Sequence, residues 1–337
     1  MTDKNEKSKT KVSVGRNVFS WRPEVSVVIP AYNSAAYIAE TIESVRNQKF
    51  RDLEIIIVND GSPDTHELER ELSPFIQEIV YVRQQSSGAG GARNTGIENA
   101  RADLIAFLDS DDIWLPEFLA SQIAFLGRGF DMVYCDAVVF RDGSPLRTSF
   151  MAGSPSAGEV NCESLLEGRC NVITSGTVVR KDALLKAGLF ERGPVKAEDF
   201  HLWMRMAKQG SRIGYQRKQL VKYRVRPASL SGDTVDRIVR SIDAFRRVGE
   251  TIDLSSSELE IIDRRLQRFH ADLAVARGKT YLVNGEYQKA ATEFSEASRC
   301  SRSLKLRVIS LLARVAPRTL LRIYRSQRVA DPSMLLG

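Results

Sequence analysis

An Asp109-Ser110-Asp111-Asp112 run closes the apolar stretch Leu104-Ile105-Ala106-Phe107-Leu108. Carboxylates this close repel one another and cost stability unless a cation is present. Oxygen-only ligands on a turn suit Mg²⁺ or Mn²⁺. Mg²⁺ takes one or two protein carboxylates and completes its shell with water and substrate phosphates. No His or Cys lies in the run, which argues against zinc. The competing reading is a solvated acidic turn, with Asp112 capping a helix that starts before Leu115.

Three further positions could add chemistry. Asp60 ends the run Leu53–Asp60 (LEIIIVND), where a carboxylate can accept from a base edge such as an imide N–H or simply hold an NDGS turn. Arg93 sits in the Gly-rich segment Ser86–Gly96 at a helix start, which suits a diphosphate. That segment has no GK[ST], and G-x-G-x-x-G spacing fails at Arg93. Its bland alternative is a flexible loop and an ordinary helix start. The Glu198-Asp199 pair opens a helix, where the macrodipole keeps a carboxylate ionised, as a general base requires. Acids there also serve plain helix stabilisation. His201 reads as structural or lining, and Trp203 and Met206 at i, i+3 as core.

These residues need a frame. Val25–Pro30, Leu53–Asp60, Ile79–Gln84 and Leu104–Asp112 read as buried strands alternating with helices, the first helix running through about Ile38–Gln48 with Asn33 and Ser34 as caps. That order implies right-handed βαβ units in a parallel sheet. Ligands of such sheets bind at the carboxyl ends of the strands, where Tyr32, Asn33, Asp60 and Asp109–Asp112 all fall. Further strands are expected at 131–140, 173–180 and about 212–226, with a loop over 141–162 and a helix over 197–210. After Asp233 the pattern is wholly helical. Residues 276–298 look like one tetratricopeptide-type helix pair turning at Gly285, although a single unit is not an array.

Five motifs in order, VSVVIPAYN, IIIVNDGSPD, SGAGGARNTGI, FLDSDDIWLPEFL and AEDFHLWMR, resemble the family 2 glycosyltransferases. The resemblance covers about residues 23–232. It implies the GT-A fold, a Rossmann-like mixed α/β sheet flanked by helices, here followed by an all-helical C-terminal region. It implies an inverting sugar transfer from a nucleotide diphosphate sugar, with UDP favoured. Pro30, Ala31, Tyr32 and Asn33 would line the base and ribose, and Asp60, with Gly61 beside it, would contact the uracil. Arg93 would touch the base or diphosphate region. Asp109 and Ser110 would lie near the donor, Asp111 would be the direct metal ligand with Asp109 beside it, and Asp199 would be the catalytic base. Tyr223, Arg224 and Arg226 resemble a late segment that approaches the diphosphate. The processive QxxRW signature is missing, which points to addition of one residue per encounter in polysaccharide, lipopolysaccharide or glycolipid synthesis. The partners implied are the donor sugar and a glycan or lipid-linked acceptor, with no nucleic acid.

The bulk properties agree with this reading. The chain has 337 residues, 43% apolar and 27% charged. Those are globular values, enough for one large core plus an appendage. Cys135, Cys162, Cys170 and Cys300 form no CxxC pair and read as reduced thiols. Neither an apolar leader nor a spanning segment is visible, so a cytoplasmic setting is expected. Net charge is +7, yet nine Lys or Arg and no Asp or Glu fall between Arg299 and Ala330. The basic character therefore belongs to one segment and is no global nucleic-acid signal. The expected organisation is a flexible or disordered arm (1–22), a catalytic domain (23–232), a helical region (233–298) and a basic amphipathic tail (299–337) broken at Pro317. The tail fits either the inner face of an anionic membrane or packing on the catalytic domain. Two rival functions remain at this level. A nucleotidyltransferase would need a basic GxGxR-type loop after the first strand, where AYNSAAY stands. A degenerate transferase-like scaffold would lack its acids, yet Asp109, Asp111 and Asp199 are intact.

Overall fold

The structure is a computed structural model that describes residues 11–14, 22–141, 143–147, 149–193, 195–226, 234–301 and 303–330. Most of the expected arm, residues 227–232 of the catalytic stretch and residues 331–337 of the tail lie outside the described residues. The chain forms two compact units, Met1–Val225 and Arg226–Gly337.

The first unit is built on a ten-stranded mixed sheet. Its strands are β1 (Lys11–Val14), β2 (Val25–Ala31), β3 (Leu53–Asp60), β4 (Ile79–Gln84), β5 (Leu104–Phe107), β6 (Ile113–Trp114), β7 (Met132–Arg141), β8 (Ser144–Arg147), β9 (Val178–Arg180) and β10 (Ile213–Arg224). The order is β1-β4-β3-β2-β5-β9-β7-β10-β6, with β8 paired to β7. Strands β4, β3, β2 and β5 run parallel, as their Val/Ile-rich sequences and intervening helices demand. Strand β9 joins antiparallel to both β5 and β7, and β10 pairs parallel with β7.

Helices cover both faces. Val27 and Ile29 pack with Ile38 and Ile42 of α1 (Ala35–Arg46). The opposite face of β2 meets α3 (Gly88–Asn99) at Gly96, where an added Cβ would lie 2.3 Å from Val28 Cγ1. The glycines of this segment thus serve close packing, and α3 begins directly at Gly88 instead of after a flexible loop. Around these lie α2 (Thr65–Leu72), α4 (Phe118–Leu126), α5 (Cys162–Leu166), α6 (Lys181–Lys186) and α7 (Glu198–Lys208).

Several expectations change. Residues 11–14, inside the presumed arm, form an edge strand, because Val12 and Val14 alternate with polar residues and pair with Val82 and Val80. Ser34, at the N-cap of α1, makes no capping bond with its side chain, and the Asp64 carboxylate accepts from the Ala35 amide at 2.8 Å. Asp112 caps no helix, since β6 follows it and α4 starts only at Phe118. The 141–162 stretch holds β8, and 173–180 is split by a tight 3₁₀ turn at Thr174–Gly176 before β9. All four cysteines are free.

The second unit contains α8 (Thr234–Thr251), α9 (Ser256–Val283), α10 (Tyr287–Ser301), α11 (Leu304–Val315) and α12 (Pro317–Ala330). A capping box of Ser255 and Glu258 starts α9. Gly285, at φ 80°, turns the chain from α9 into α10. Leu282, Ala290, Ala291, Phe294, Ala313 and Leu320 form the core of this end. With 28 residues, α9 is far longer than one helix of a tetratricopeptide-type repeat.

Gly96→Ala gains helix propensity of about 1 kcal/mol. It also overpacks a site bounded by the fully buried Val28, at a cost of about 1–3 kcal/mol. The expected net outcome is a lower midpoint in urea unfolding, with an unchanged slope.

Candidate active site

The parallel register sets β3, β2 and β5 side by side, so their carboxyl ends share one rim. Asp60, Tyr32 and the acidic run therefore open at one edge of the sheet, as the sequence led one to expect. Tyr32 is the exposed member at 55%. Asn33 takes a left-handed conformation, φ 50°, and its amide donates to Ser62 Oγ at 2.7 Å. Pro30 and Ala31 are the last two residues of β2, with Ala31 fully buried.

Asp60 is engaged by its own chain. Its Oδ1 accepts from Gln84 Nε2 at 2.7 Å and the Ser87 amide at 2.8 Å, and its Oδ2 from the Gly88 amide at 2.9 Å. Both Ser87 and Gly88 amides lie at the start of α3, where the helix leaves N–H groups unsatisfied. Asp60 thus fixes the turn between β4 and α3. Gly61 beside it stands at φ 66°, with room for no Cβ: the Ser86 amide nitrogen would be 2.9 Å away.

Arg93 differs most from the sequence reading. Its side chain is only 6% exposed, and it donates to Asp109 Oδ1 at 2.8 Å and Glu198 Oε1 at 2.6 Å. The guanidinium also lies 5.5 Å from the Phe190 ring centroid. Its place is between the acidic run and the start of α7 rather than on an open, phosphate-facing surface. Burial alone would weaken its charge; Asp109, Glu198 and Asp199 outweigh that and hold the guanidinium above its ordinary pKa. Glu198 is shifted upward, first by burial and then by Asp199, with Arg93 opposing. Gly90 makes the contact possible, because an added Cβ there would come within 2.4 Å of the Glu191 carbonyl and push α3 off this loop.

A second bridge comes from the 3₁₀ turn. Thr174 Oγ1 donates to Asp199 Oδ2 at 2.8 Å. Its neighbour Ser175 donates through Oγ to Asp112 Oδ2 at 2.6 Å and accepts from the Asp109 amide at 3.1 Å. The circuit closes through four hydrogen-bonded links and the two chain-neighbour steps Glu198–Asp199 and Thr174–Ser175: Asp109 to Arg93, to Glu198, to Asp199, to Thr174, to Ser175, and back to Asp109. Thr174 and Ser175 were not singled out by sequence reasoning. The signal was a Thr-Ser-Gly interruption in a β-branched run, which marks a turn.

Asp112 is the buried acid of the run. Its Oδ1 accepts from the Arg224 amide at 2.8 Å, and its own carbonyl accepts from Thr41 Oγ1 at 2.9 Å. Burial, then Asp111 and Asp109, push its carboxyl well above the usual range, against the Ser175 and Arg224 hydrogen bonds. Ser110 is buried beside it. Arg224 reaches back through Nε to the Asp111 carbonyl at 2.7 Å and lies against the Tyr37 and Phe140 rings. It therefore braces the acidic turn. Tyr223 instead meets Phe150, with ring centroids 5.4 Å apart. Arg226 is the first residue of the second unit. His201 is buried, with Nδ1 3.7 Å from Glu191 Oε2.

Residues 26–185 match Glycosyl transferase family 2. The chain is 31% identical over 255 residues to the putative glycosyltransferase EpsH of Bacillus subtilis, spanning 73% of this chain and 74% of that one. It is 27% identical over 228 residues to the Escherichia coli enzyme WfaP, a UDP-Glc:alpha-D-GlcNAc-diphosphoundecaprenol beta-1,3-glucosyltransferase, covering 67% and 86%. The chain belongs to glycosyl transferase family 2, and it is a glycosyltransferase. Among solved structures it superposes on Staphylococcus aureus TarS 1-349 in complex with UDP-GlcNAc, with a TM-score of 0.59, 20% identity and coverage of 90% and 92%. The mannosyltransferase PcManGT of Pyrobaculum calidifontis, in complex with GDP-Man and Mn²⁺, gives a TM-score of 0.59 at 18% identity, covering 90% and 84%. These likenesses identify the sheet and its helices as the GT-A fold.

Thr174→Val removes a hydrogen bond to a carboxylate, worth about 1.5–3 kcal/mol. The expected outcome is a fall in kcat of roughly ten- to a hundredfold with donor affinity unchanged, and recovery in Thr174→Ser. Steady-state kinetics with donor-binding calorimetry on the three proteins checks it.

Proposed function

We propose that the enzyme transfers a hexose or N-acetylhexosamine from a nucleotide diphosphate sugar, UDP in first place, to an acceptor hydroxyl with inversion. The observation that carries this reading is the circuit that ties Asp199 to the acidic turn through Arg93, Glu198, Thr174 and Ser175. With Asp199 as the base and the acidic turn as the donor-phosphate site, both would belong to one preorganised network. TarS in complex with UDP-GlcNAc and the activity in WfaP's name support UDP as the nucleotide.

In this scheme the exposed ring of Tyr32 offers the base a stacking surface at the end of β2. Asp60 acts on the nucleotide through the Ser86–Gly88 turn that it holds, as well as by any lone pair left for the base edge. Pro30, Ala31, Asn33, Gly61 and Ser110 shape the rest of the donor cleft. Asp111, with Asp109 beside it, would hold a divalent ion, Mn²⁺ or Mg²⁺. The donor set fits: it is all oxygen, and Asp111 and Asp109 add to burial in raising the Asp112 carboxyl, a repulsion that a cation relieves. Such an ion supplies charge neutralisation for the departing diphosphate.

The chain's own residues then handle the proton. Asp199, held by Thr174, accepts the proton of the acceptor hydroxyl as that oxygen bonds to the sugar C1. The bond from C1 to the diphosphate oxygen breaks, and the diphosphate leaves with its electron pair. Glu198 is committed to Arg93 and stays outside this exchange. The acceptor is a glycan or a lipid-linked sugar. The missing QxxRW signature fits one addition per encounter in cell-surface polysaccharide, lipopolysaccharide or glycolipid assembly.

Incubation with UDP-, GDP- and dTDP-sugars, with and without Mn²⁺, is expected to give donor hydrolysis with a UDP-sugar only when the ion is added. Asp199→Asn is expected to abolish transfer while donor binding survives. Near-normal turnover in that variant removes Asp199 from the role of base.

A further inference from the structure

Helix α11 is apolar on two opposite faces. One face carries Ile309, Leu312 and Ala313 into the core shared with Ala290, Ala291 and Phe294. The other carries Leu304, Val308, Leu311 and Val315, spaced by four, three and four residues, which aligns them along one side of a helix. These four are between 56% and 71% exposed. Packing within the helical unit therefore accounts for one apolar face and leaves the other facing solvent.

Cations rim the exposed stripe. Arg307 and Arg314 lie on one side of it and Lys305 on the other, and all three are exposed. On α12, Arg318, Arg322 and Arg325 are exposed as well and fall within about 60° of one another around the helix. No Asp or Glu occurs from Arg299 to Ala330, and among the described residues Lys305, Arg307, Arg314, Arg318, Arg322 and Arg325 form no ion pair. Charge unopposed by acid beside an aliphatic stripe about 16 Å long is the pattern of a helix lying in a bilayer interface. A nucleic acid would match the cations but leave the aliphatic side chains wet, so the stripe decides between the two. No helix among the described residues is long and apolar enough to cross a membrane, so this face would rest on a bilayer without spanning it.

We propose that the outer face of α11, with the arginines of α12, docks the enzyme on an anionic phospholipid surface. Leu304, Val308, Leu311 and Val315 enter the boundary between headgroups and acyl chains, while Lys305, Arg307, Arg314, Arg318 and Arg322 meet lipid phosphates. The packed face of α11 keeps the helix attached to its unit throughout.

Flotation of the full chain with phosphatidylcholine vesicles, alone or mixed with phosphatidylglycerol, tests this. Two variants accompany it. Leu304→Gln/Val308→Gln/Leu311→Gln/Val315→Gln alters exposed positions only, and Arg307→Gln/Arg314→Gln lowers the charge and keeps the stripe. Unchanged thermal unfolding verifies that each is folded. Binding is expected only to the vesicles with phosphatidylglycerol, with a loss of at least about tenfold in the first variant and a clear loss in the second. Equal flotation of wild type and the first variant, flotation indifferent to phosphatidylglycerol, or no flotation would each overturn the proposal. It also fails if light scattering shows that the first variant splits a dimer while flotation is unchanged, since the face is then a contact between copies of the chain.

Discussion

The guanidinium of Arg93 is the contact on which the site depends. It is almost fully buried, and a buried charge is tolerated only when it is paired and hydrogen-bonded. Its two partners come from distant parts of the chain: Asp109 after β5 and Glu198 at the start of α7. A lone carboxylate at either place could relax toward solvent. Held by one planar fork, the two are fixed in both distance and direction. Loss of one member of such a set leaves an uncompensated charge inside the protein, a change that costs about 3–5 kcal/mol. The arrangement is thus a strong constraint whether or not it adds net stability over an apolar replacement.

The rest of the first unit can be understood as what brings Arg93 to that position. Gly96 lets α3 sit against β2, and Gly90 lets it approach the Glu191 carbonyl ahead of α7. Asp60 fixes where α3 begins by taking the amides of Ser87 and Gly88. Thr174 and Ser175 then tie α7 to the acidic turn from the other side. Arg224 and Asp112 anchor that turn to the far strand β10. Each device is local, but together they leave the acidic turn and the start of α7 little freedom relative to one another. That is the preorganisation a transfer reaction uses.

Much of this frame was legible in the sequence. The Val/Ile runs announced the parallel strands, and the clustering of Tyr32, Asp60 and Asp109–Asp112 at their ends followed from how such sheets bind ligands. Helix α7 was legible from its acids, and the tail from its period and Pro317. What could not be read was partnership. A sequence shows that Arg93 lies at a helix start, but whether its charge faces a ligand or two carboxylates depends on packing over more than a hundred residues. Asp60 likewise looked like a ligand contact, and its engagement with the start of α3 needed the β4–α3 turn to be seen. Thr174 and Ser175 were hidden because Ile173 and Val178–Val179 flank them and the whole stretch carries strand composition. Residues 11–14 were missed because four alternating residues in a polar arm give too short a signal, and pairing with β4 supplies the rest.

The claim that Arg93 and Glu198 act as one unit in building the site is tested most directly by a double-mutant cycle on turnover, with Arg93→Met, Glu198→Gln and the double variant. Coupled residues of a shared network show interaction energies of about 0.5–3 kcal/mol. The account predicts a coupling in the upper half of that range, so that the double variant is scarcely worse in kcat/KM than Arg93→Met alone. Losses that simply add would show that the two residues act independently and would contradict the account.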